Sequence, residues 1–312
     1  MSSWPSHSWS STNGTPAAAS GVAKVWRWRH RRVVSHAGLA TMPRSTSHAP
    51  EHGHPSPRQL LRPVLFELGP LEVRSYGVFI ALAFVGAWLV LRHELARRGV
   101  RGEVAGTLAI MAALGGLVGA RLYWFVENSG STQAGDVFSA AGFTWYGGVL
   151  GGAAAVLVTA RRLGVRLPDL LGASAPALAL GYAMGRVACQ FAGDGTYGEP
   201  SNLPWAMAYP RGEVPTTESV HPTPVYETLT GLVIFAVLWR LRDRLEPVRL
   251  FGLYLALAGG GRFLVEFIRR NDAVVAGLTP PQLFAAAFVV AGGALLAWRG
   301  PAALPVAQKP VG

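Results

Sequence analysis

Several apolar segments of this sequence carry charged residues where a bilayer-spanning helix would hold them inside the membrane. Arg186 lies in GYAMGRVACQF and Arg121 in GLVGARLYWFV. Glu227 lies in VYETLTGLVIF, whereas Arg262 and Glu266 share LALAGGGRFLVEFI. An ionisable residue at membrane depth costs about 2.5–3.5 kcal/mol on insertion scales and therefore usually marks a functional site. We expect these side chains to face one another and to form a polar site inside a bilayer.

The arginines point to phosphate chemistry. A guanidinium group can bind two phosphate oxygens in bidentate geometry, and the phosphate present in a bilayer is that of a lipid head group. Arg186 has no carboxylate at helical spacing in its own segment, so its partner lies on another element or is a ligand. Arg262 and Glu266 are four residues apart, and an ion pair that only fixes packing is the alternative for them. Arg121 has the alternative of extending to the outer membrane surface.

Tyrosine and histidine residues at the starts of the apolar segments supply further candidates. Tyr146 in WYGG (145–148) is a possible phenol donor, and His221 in HPTPVYE (221–227) would titrate near neutral pH. RSYG (74–77) adds Tyr76. The alternative for the tyrosines is an aromatic residue anchored at the membrane surface, and for His221 a structural role.

Several chemistries find no support in the sequence. The only cysteine, Cys189, excludes a disulfide framework and a multi-cysteine metal site. A buried thiol has a raised pKa, which argues against Cys189 as a nucleophile. No nucleotide-binding loop, HExxH zinc motif or GxSxG motif is present, and Ser, His and Cys form no recognisable triad. The residues therefore indicate neither a multi-cysteine metal site nor covalent catalysis.

Composition favours a membrane protein. Hydrophobic residues make up 50% of the chain and charged residues only 14%, compared with about 25% charged residues in soluble domains. The net charge of +11 could suggest nucleic acid. However, the arginines lie in short clusters between apolar runs and not on one amphipathic face, so nucleic acid is not expected as a partner.

Apolar runs predict an all-α, polytopic integral membrane protein with about seven transmembrane helices. A span needs about 20 residues to cross a bilayer, and the fifth and sixth runs are weaker because each contains an internal charge. The predicted spans are residues 75–93, 104–125, 143–160, 169–190, 223–240, 250–268 and 281–298.

The loops predict the orientation of the chain. Lys and Arg cluster after the first, third, fifth and seventh spans, whereas the other loops are nearly neutral or acidic. The N-terminus should therefore lie outside and the C-terminus in the cytoplasm, with Arg269 and Arg270 as exceptions on the outer side. The longest core loop, 191–222, joins the segments of Arg186 and Glu227. We expect it to form a small ordered outer cap over the site.

The two ends differ from the core. Residues 1–60 are rich in Ser, His, Pro and Arg and contain the basic stretch VWRWRHRRVV. They are predicted to be a disordered basic extension, or to precede a true start nearer Met42; the alternative is a membrane-surface anchor through Arg and Trp. The membrane core is predicted over residues 61–300, with a short cytoplasmic tail at 301–312.

Six motifs in order resemble those of the prolipoprotein diacylglyceryl transferase family, from about Pro63 to about Pro280. They are RSYG (74–77), GGLVGAR (115–121), WYGG (145–148), GRVACQFAGDGTYG (185–198), HPTPVYE (221–227) and GGRFLVEFIRRND (260–272). The resemblance implies an enzyme of the bacterial inner membrane with seven spans and an outward N-terminus. Such enzymes move the diacylglyceryl group of phosphatidylglycerol to the lipobox cysteine thiol of a secreted preprotein. A thioether forms, glycerol-1-phosphate leaves, and no metal or soluble cofactor is implied.

The resemblance also implies roles for individual residues. Arg186 would bind the phosphate, and Arg262 would stabilise the leaving charge with Glu266 orienting it. Glu227 would brace the polar core, and Tyr146 or His221 would join Arg186 and Arg262 as catalytic residues. The remaining substrate-binding residues would be Tyr76 and Tyr226, which line the head-group site, together with Arg121, Gly147, Gly148, Asp194 and Gly198.

The sequence departs from the family pattern at several positions. Tyr146 stands where the family usually has a histidine, the obvious base, and a phenol with a pKa of about 10 is a poor base at neutral pH. Cys189 replaces a polar Asn, GDGTYG is one residue longer than usual, and Ala258 stands where many members carry Tyr. The two interpretations are a variant branch that uses a different base, with His221 as the candidate, and a chemistry that has drifted. The rival functions are a related transferase for another lipid or acceptor, and a lipid-binding or transport protein without turnover.

Overall fold

The computed structural model describes residues 63–68, 71–128 and 144–298. Within these ranges the chain forms seven helices and four short strands. The helices are α1 (Ser75–Arg97), α2 (Gly102–Glu127), α3 (Trp145–Arg162), α4 (Leu167–Ala192), α5 (Thr223–Leu241), α6 (Pro247–Glu266) and α7 (Pro280–Ala297). The strands are β1 (Val64–Leu68), β2 (Leu71–Arg74), β3 (Met207–Tyr209) and β4 (Thr216–Val220). The predicted extension and tail, 1–60 and 301–312, lie outside the described residues.

Each predicted span corresponds to one of the seven helices, which confirms a helical, polytopic membrane protein. Five helices are long and apolar enough to cross a membrane by length and composition, and they include α5 and α6, the two that the sequence marked as weaker. Helices α3 and α4 are not among the five. The reason lies in their composition, because α3 is rich in glycine and ends in Arg161 and Arg162, whereas α4 contains Asp169 and Arg186.

Helix α4 is central to the bundle. It packs against α1, α5 and α6, while α2 pairs with α3 and α6 pairs with α7. Its buried positions are mostly alanine, among them Ala173, Ala179 and Ala183. Small side chains let membrane helices approach closely. Arg186 lies near the C-terminal end of α4, the helix against which α5 and α6 pack.

Helices α2 and α3 meet backbone to backbone. A Cβ atom added to Gly119 would lie 2.7 Å from Cα of Gly151, and one added to Gly115 would lie 2.7 Å from the carbonyl oxygen of Gly151. Gly147 of α3 is packed equally closely against α2, because a Cβ atom added to it would overlap Cβ of Tyr123. The glycine pairs in these two segments thus fix the spacing of the α2–α3 hairpin.

Two antiparallel hairpins add strands that the all-α prediction did not contain. β1 pairs with β2 immediately before α1, and β3 pairs with β4 inside the segment that joins α4 to α5. Tyr209 of β3 is fully buried and donates a hydrogen bond of 2.9 Å to Gln190 Oε1 of α4. Burial raises the pKa of the Tyr209 phenol above its usual value, so the hydroxyl keeps its proton. The segment 193–222 is therefore ordered and attached to the end of α4.

Glu94 of α1 is a buried carboxylate beside the C-terminal end of α5, the end away from the segment 193–222. Glu94 of α1 is 0% exposed, and its Oε1 atom lies 3.1 Å from both Arg97 Nη1 and Arg242 Nη1. Arg98 Nη1 is 2.7 Å from its Oε2 atom. Arg242 follows the last residue of α5 and covers the ring of Trp239 at 3.5 Å. This Glu94 cluster links the first described helix to the second half of the chain.

Candidate active site

Three helices bring the predicted charges together. Arg186 of α4 and Arg262 of α6 both contact Glu227 of α5, which is 3% exposed. Arg186 Nη2 lies 3.3 Å from Glu227 Oε1, and Arg262 Nη1 lies 3.7 Å from the same oxygen. The partner of Arg186 is thus a carboxylate on another helix. Both distances exceed those of charge-assisted hydrogen bonds, about 2.7–2.9 Å, so Glu227 itself holds the two guanidinium groups only loosely.

Glu266 closes the far side of this cluster. Arg262 Nη2 lies 2.7 Å from Glu266 Oε2, which is the ion pair that the four-residue spacing predicted. The other oxygen, Oε1, accepts hydrogen bonds from Thr279 Oγ1 at 2.8 Å and Asn271 Nδ2 at 2.5 Å. Glu266 is therefore fixed by several donors and in turn orients Arg262.

Arg269 joins the same cluster, although the sequence treated it only as an exception to the charge rule. Its Nη1 lies 3.3 Å from Glu227 Oε2, and its Nε lies 3.7 Å from Glu266 Oε2. The neighbouring Arg270 pairs with Glu218 of β4 at 3.2 Å. The signal was present, since Arg269 is three residues after Glu266 and so one helical turn away. With Arg186 and Arg262 the cluster holds three arginines and two glutamates, a formal charge of 3 − 2 = +1.

A cavity of about 360 Å³ opens beside the cluster. Arg186, Glu227 and Arg262 form its charged wall, with the phenols of Tyr182 and Tyr146 beside them. The rest of the lining is mostly apolar or small, and Ala258 is part of it. A charged end and an apolar body suit an amphiphilic ligand.

Tyr146 lies in the first turn of α3 and reaches the cavity from the α2–α3 hairpin. Its ring stacks on Phe284 of α7, with centroids 4.4 Å apart and an angle of 23° between the planes. Gly147 is instead buried against α2, where a side chain would meet Tyr123, and Gly148 faces Gly116. These two glycines lie outside the cavity lining and contribute to the packing that places Tyr146.

His221 lies near the end of the ordered segment 193–222 and Tyr226 in the first turn of α5, and neither lines the cavity. His221 Nδ1 is 3.3 Å from the Tyr226 hydroxyl, which also accepts a hydrogen bond of 2.8 Å from Trp205 Nε1. Asp194 accepts hydrogen bonds from the backbone and hydroxyl of Thr196 at 3.1 and 2.6 Å. These contacts shape the segment that follows α4.

The other predicted residues also lie outside the lining of the cavity. Gly198 donates its N–H to the His221 carbonyl at 2.9 Å, and a side chain there would overlap the Ile268 carbonyl. Tyr76 is 40% exposed at the start of α1. The Arg121 guanidinium covers the ring of Trp124 at 4.9 Å. The structure thus brings together Arg186, Glu227, Arg262, Glu266 and Tyr146, and the other predicted residues do not line the cavity.

Two residues of the site were not predicted from the sequence. Arg269 is one, and Tyr182 of α4 is the other, because a tyrosine in an apolar segment gives no signal of its own. Within the described ranges no group of three or more His, Cys, Asp or Glu side chains could hold a metal ion. Cys189 is buried, with its sulfur 3.9 Å from Arg186 Nη1.

Comparison with known proteins identifies the family. The family model described as prolipoprotein diacylglyceryl transferase matches residues 63–298. A Chromohalobacter salexigens protein named phosphatidylglycerol–prolipoprotein diacylglyceryl transferase is 35% identical over 250 residues, covering 76% of this chain and 91% of the relative. Proteins of the same name from Geobacter sulfurreducens and Clostridium tetani are 34% and 31% identical, covering 70% and 67% of this chain and 86% of each relative. This chain belongs to the prolipoprotein diacylglyceryl transferase family.

Proposed function

We propose that this protein transfers the diacylglyceryl group of phosphatidylglycerol to the lipobox cysteine thiol of a prolipoprotein in the bacterial inner membrane. Family membership supports the reaction. One observation carries the proposal for this chain: arginines of two different helices, Arg186 and Arg262, face a single cavity beside Glu227. A lipid head group with one phosphate fits such a pair of cations.

The charge of the cluster supports phosphate binding. Three arginines and two glutamates leave one positive charge, and an uncompensated charge in an apolar bundle is costly. A phosphodiester carries one negative charge and would neutralise it. Among the described residues no group accepts a hydrogen bond from the buried Arg262 Nη1. We propose that this N–H pairs with a phosphate oxygen when the lipid is bound.

The proposed reaction is a displacement at carbon. The bond between the diacylglycerol carbon and the phosphate oxygen breaks, a carbon–sulfur bond forms, and glycerol-1-phosphate leaves with the electron pair. Arg186 and Arg262 stabilise the charge that develops on the leaving phosphate, which is the largest contribution a fixed site usually makes. The thiol loses its proton in this step. The departing phosphate monoester, whose second pKa is about 6, can take that proton up.

Tyr146 touches the substrate in this proposal, whereas His221 does not line the cavity. A neutral phenol donates a hydrogen bond readily but accepts a proton poorly, given a usual pKa of about 10. We therefore assign Tyr146 the role of a donor that aligns the reacting groups. We assign His221, Tyr226 and Trp205 to the approach of the preprotein at the cap.

Replacing Tyr146 by phenylalanine is expected to lower transfer by roughly tenfold, because one hydrogen bond to a charged group is lost while the stacking on Phe284 remains. Incorporation of radiolabelled lipid into a lipobox-bearing preprotein in isolated membranes measures the rate. Tyr123→Phe is the matched control, since Tyr123 lies next to Tyr146 but outside the cavity lining. Equal rates for wild type and Tyr146→Phe would show that the aromatic ring only packs.

We propose seven membrane spans, with the start of α1 and the cap formed by residues 191–222 on the outer side. The arginine-rich turns after α1, α3 and α5 support this orientation. Single cysteines at the exposed positions Asn202 and Arg244 test it with a membrane-impermeant maleimide. In cells from which the outer membrane has been removed, Asn202→Cys should react while the inner membrane is intact. Arg244→Cys should react only after the inner membrane has been permeabilised. The reverse pattern would invert the proposed orientation.

Complementation tests the activity. The chain is expressed in bacteria depleted of their own diacylglyceryl transferase, and a lipobox-bearing preprotein is followed by its gel shift and by lipid labelling. Modification above the level of an empty vector is the expected result. A stable, membrane-inserted protein that gives no modification would contradict the proposal.

A related transferase for another lipid or acceptor is the second candidate. The resemblance supports it, because a histidine is expected where Tyr146 stands and a tyrosine where Ala258 stands, and both residues line the cavity. In the same depletion strain, phosphatidylglycerol would then remain unconsumed while another labelled lipid loses its diacylglyceryl group.

A further inference from the structure

Tyr182 contacts both a cation and the anion of the charged wall. It lies four residues before Arg186 on α4, so the two side chains share one face of the helix. The Arg186 guanidinium carbon is 5.0 Å from the centre of the Tyr182 ring. The Tyr182 hydroxyl donates a hydrogen bond of 2.5 Å to Glu227 Oε1. Tyr182 also lines the cavity, so it is positioned between the charge cluster and the space for the substrate.

The hydroxyl competes with the arginines for one oxygen. Glu227 Oε1 is 2.5 Å from the phenol but 3.3 Å from Arg186 Nη2 and 3.7 Å from Arg262 Nη1. Glu227 Oε2 is engaged by Arg269 Nη1 at 3.3 Å. The phenol therefore holds the short contact, although a guanidinium group at this oxygen would form the stronger ionic bond.

From these distances we infer that Tyr182 is a positioning residue for the proposed reaction. By occupying Glu227 Oε1, its hydroxyl prevents the carboxylate from drawing in Arg186 and Arg262. Their N–H groups are then engaged less closely by Glu227, and the buried Arg262 Nη1 has no hydrogen-bond acceptor among the described residues. The effect is tighter binding of the phosphate of the donor lipid. This inference depends on the proposed function for its kinetics, but its binding effect does not.

Tyr182→Phe removes the hydroxyl and keeps the ring beneath Arg186. We expect the KM for phosphatidylglycerol to rise roughly tenfold, as for the loss of one hydrogen bond to a charged group. The KM for the preprotein and the melting temperature should stay at wild-type values. A selective effect on the lipid is the informative readout, because general loosening of the bundle would change both KM values and the melting temperature.

Tyr123→Phe is the matched control, because Tyr123 lies on α2 outside the cavity lining, with its ring centroid 6.5 Å from that of Tyr146. It should leave both KM values within twofold of wild type. An unchanged lipid KM in Tyr182→Phe, or an equal rise in both KM values, would overturn the inference.

Direct binding separates this inference from the proposed function. Short-chain phosphatidylglycerol is titrated into the purified protein in detergent, and binding is followed by tryptophan fluorescence. Weaker binding by roughly tenfold in Tyr182→Phe supports the inference even if the wild type transfers no lipid, a result that would contradict only the proposed function. Equal binding by the two proteins overturns the inference, and absence of binding by the wild type overturns both.

Discussion

Arg186→Ala is expected to lower diacylglyceryl transfer by about 10²–10³-fold, the loss that follows removal of one donor to a developing oxyanion. Arg186 is the cation of α4 that faces the cavity, and its removal takes away a phosphate contact in both the bound lipid and the transition state. Glu227 would still pair with Arg262 and Arg269, so the bundle should remain folded. Lipid incorporation into a preprotein, in membranes with equal amounts of each variant, gives the ratio.

Arg186→Lys is the control that separates charge from geometry. A lysine keeps the positive charge but offers a single point donor, so it should recover only part of the lost rate. Arg121→Ala serves as the matched arginine outside the cavity lining, with its guanidinium on Trp124. Turnover in Arg186→Ala within tenfold of wild type would refute the assigned role of this residue.

Gly119→Ala is expected to destabilise the folded protein by about 3 kcal/mol, the upper part of the usual range for an overpacked site. The added methyl group would lie 2.7 Å from Cα of Gly151, and backbone atoms cannot turn aside as a flexible side chain can. Helices α2 and α3 would have to separate, and Tyr146 at the start of α3 would move with them. The fraction of folded protein in detergent, measured over a denaturant series, gives the change.

Gly116→Ala provides the same substitution three residues earlier on α2. Its methyl group would lie 3.4 Å from the nearest atom, the Gly148 carbonyl oxygen, which is an ordinary contact. We expect a change smaller than about 1 kcal/mol, because a compatible site in a helix gains slightly from alanine. If the two variants were equally stable, the close approach of α2 and α3 would not determine stability.

The helices of this protein follow from its sequence because a bilayer imposes a simple rule. A spanning segment must satisfy its backbone internally and present apolar side chains, so each apolar run becomes a helix. The same reasoning missed β1 to β4, since short strands outside the apolar runs need no hydrophobic pattern. It also marked α5 and α6 as the weaker spans because of their internal charges, although α4 contains Asp169 and Arg186 and α3 is rich in glycine.

The site was predictable where a contact is local and unpredictable where it is not. The Arg262–Glu266 pair follows from four-residue spacing and is present at 2.7 Å. The contacts of Glu227 with Arg186 and Tyr182 join residues more than 40 positions apart, which no periodicity reveals. Arg269 lies between these cases, since its spacing from Glu266 was visible but its role was hidden by its place in a loop.

The Glu94 cluster has a consequence for the order in which the protein is built. As the chain emerges from the ribosome, Arg97 and Arg98 follow Glu94 within four residues, so the carboxylate acquires counter-charges while α1 is still alone. Arg242 is synthesised 242 − 94 = 148 residues later and supplies the third contact. Because synthesis proceeds from the N-terminus, α1 can enter the membrane with its carboxylate already paired, before the second half of the chain has been made. The cluster can be completed only after α5 and the Arg242 that follows it have been synthesised.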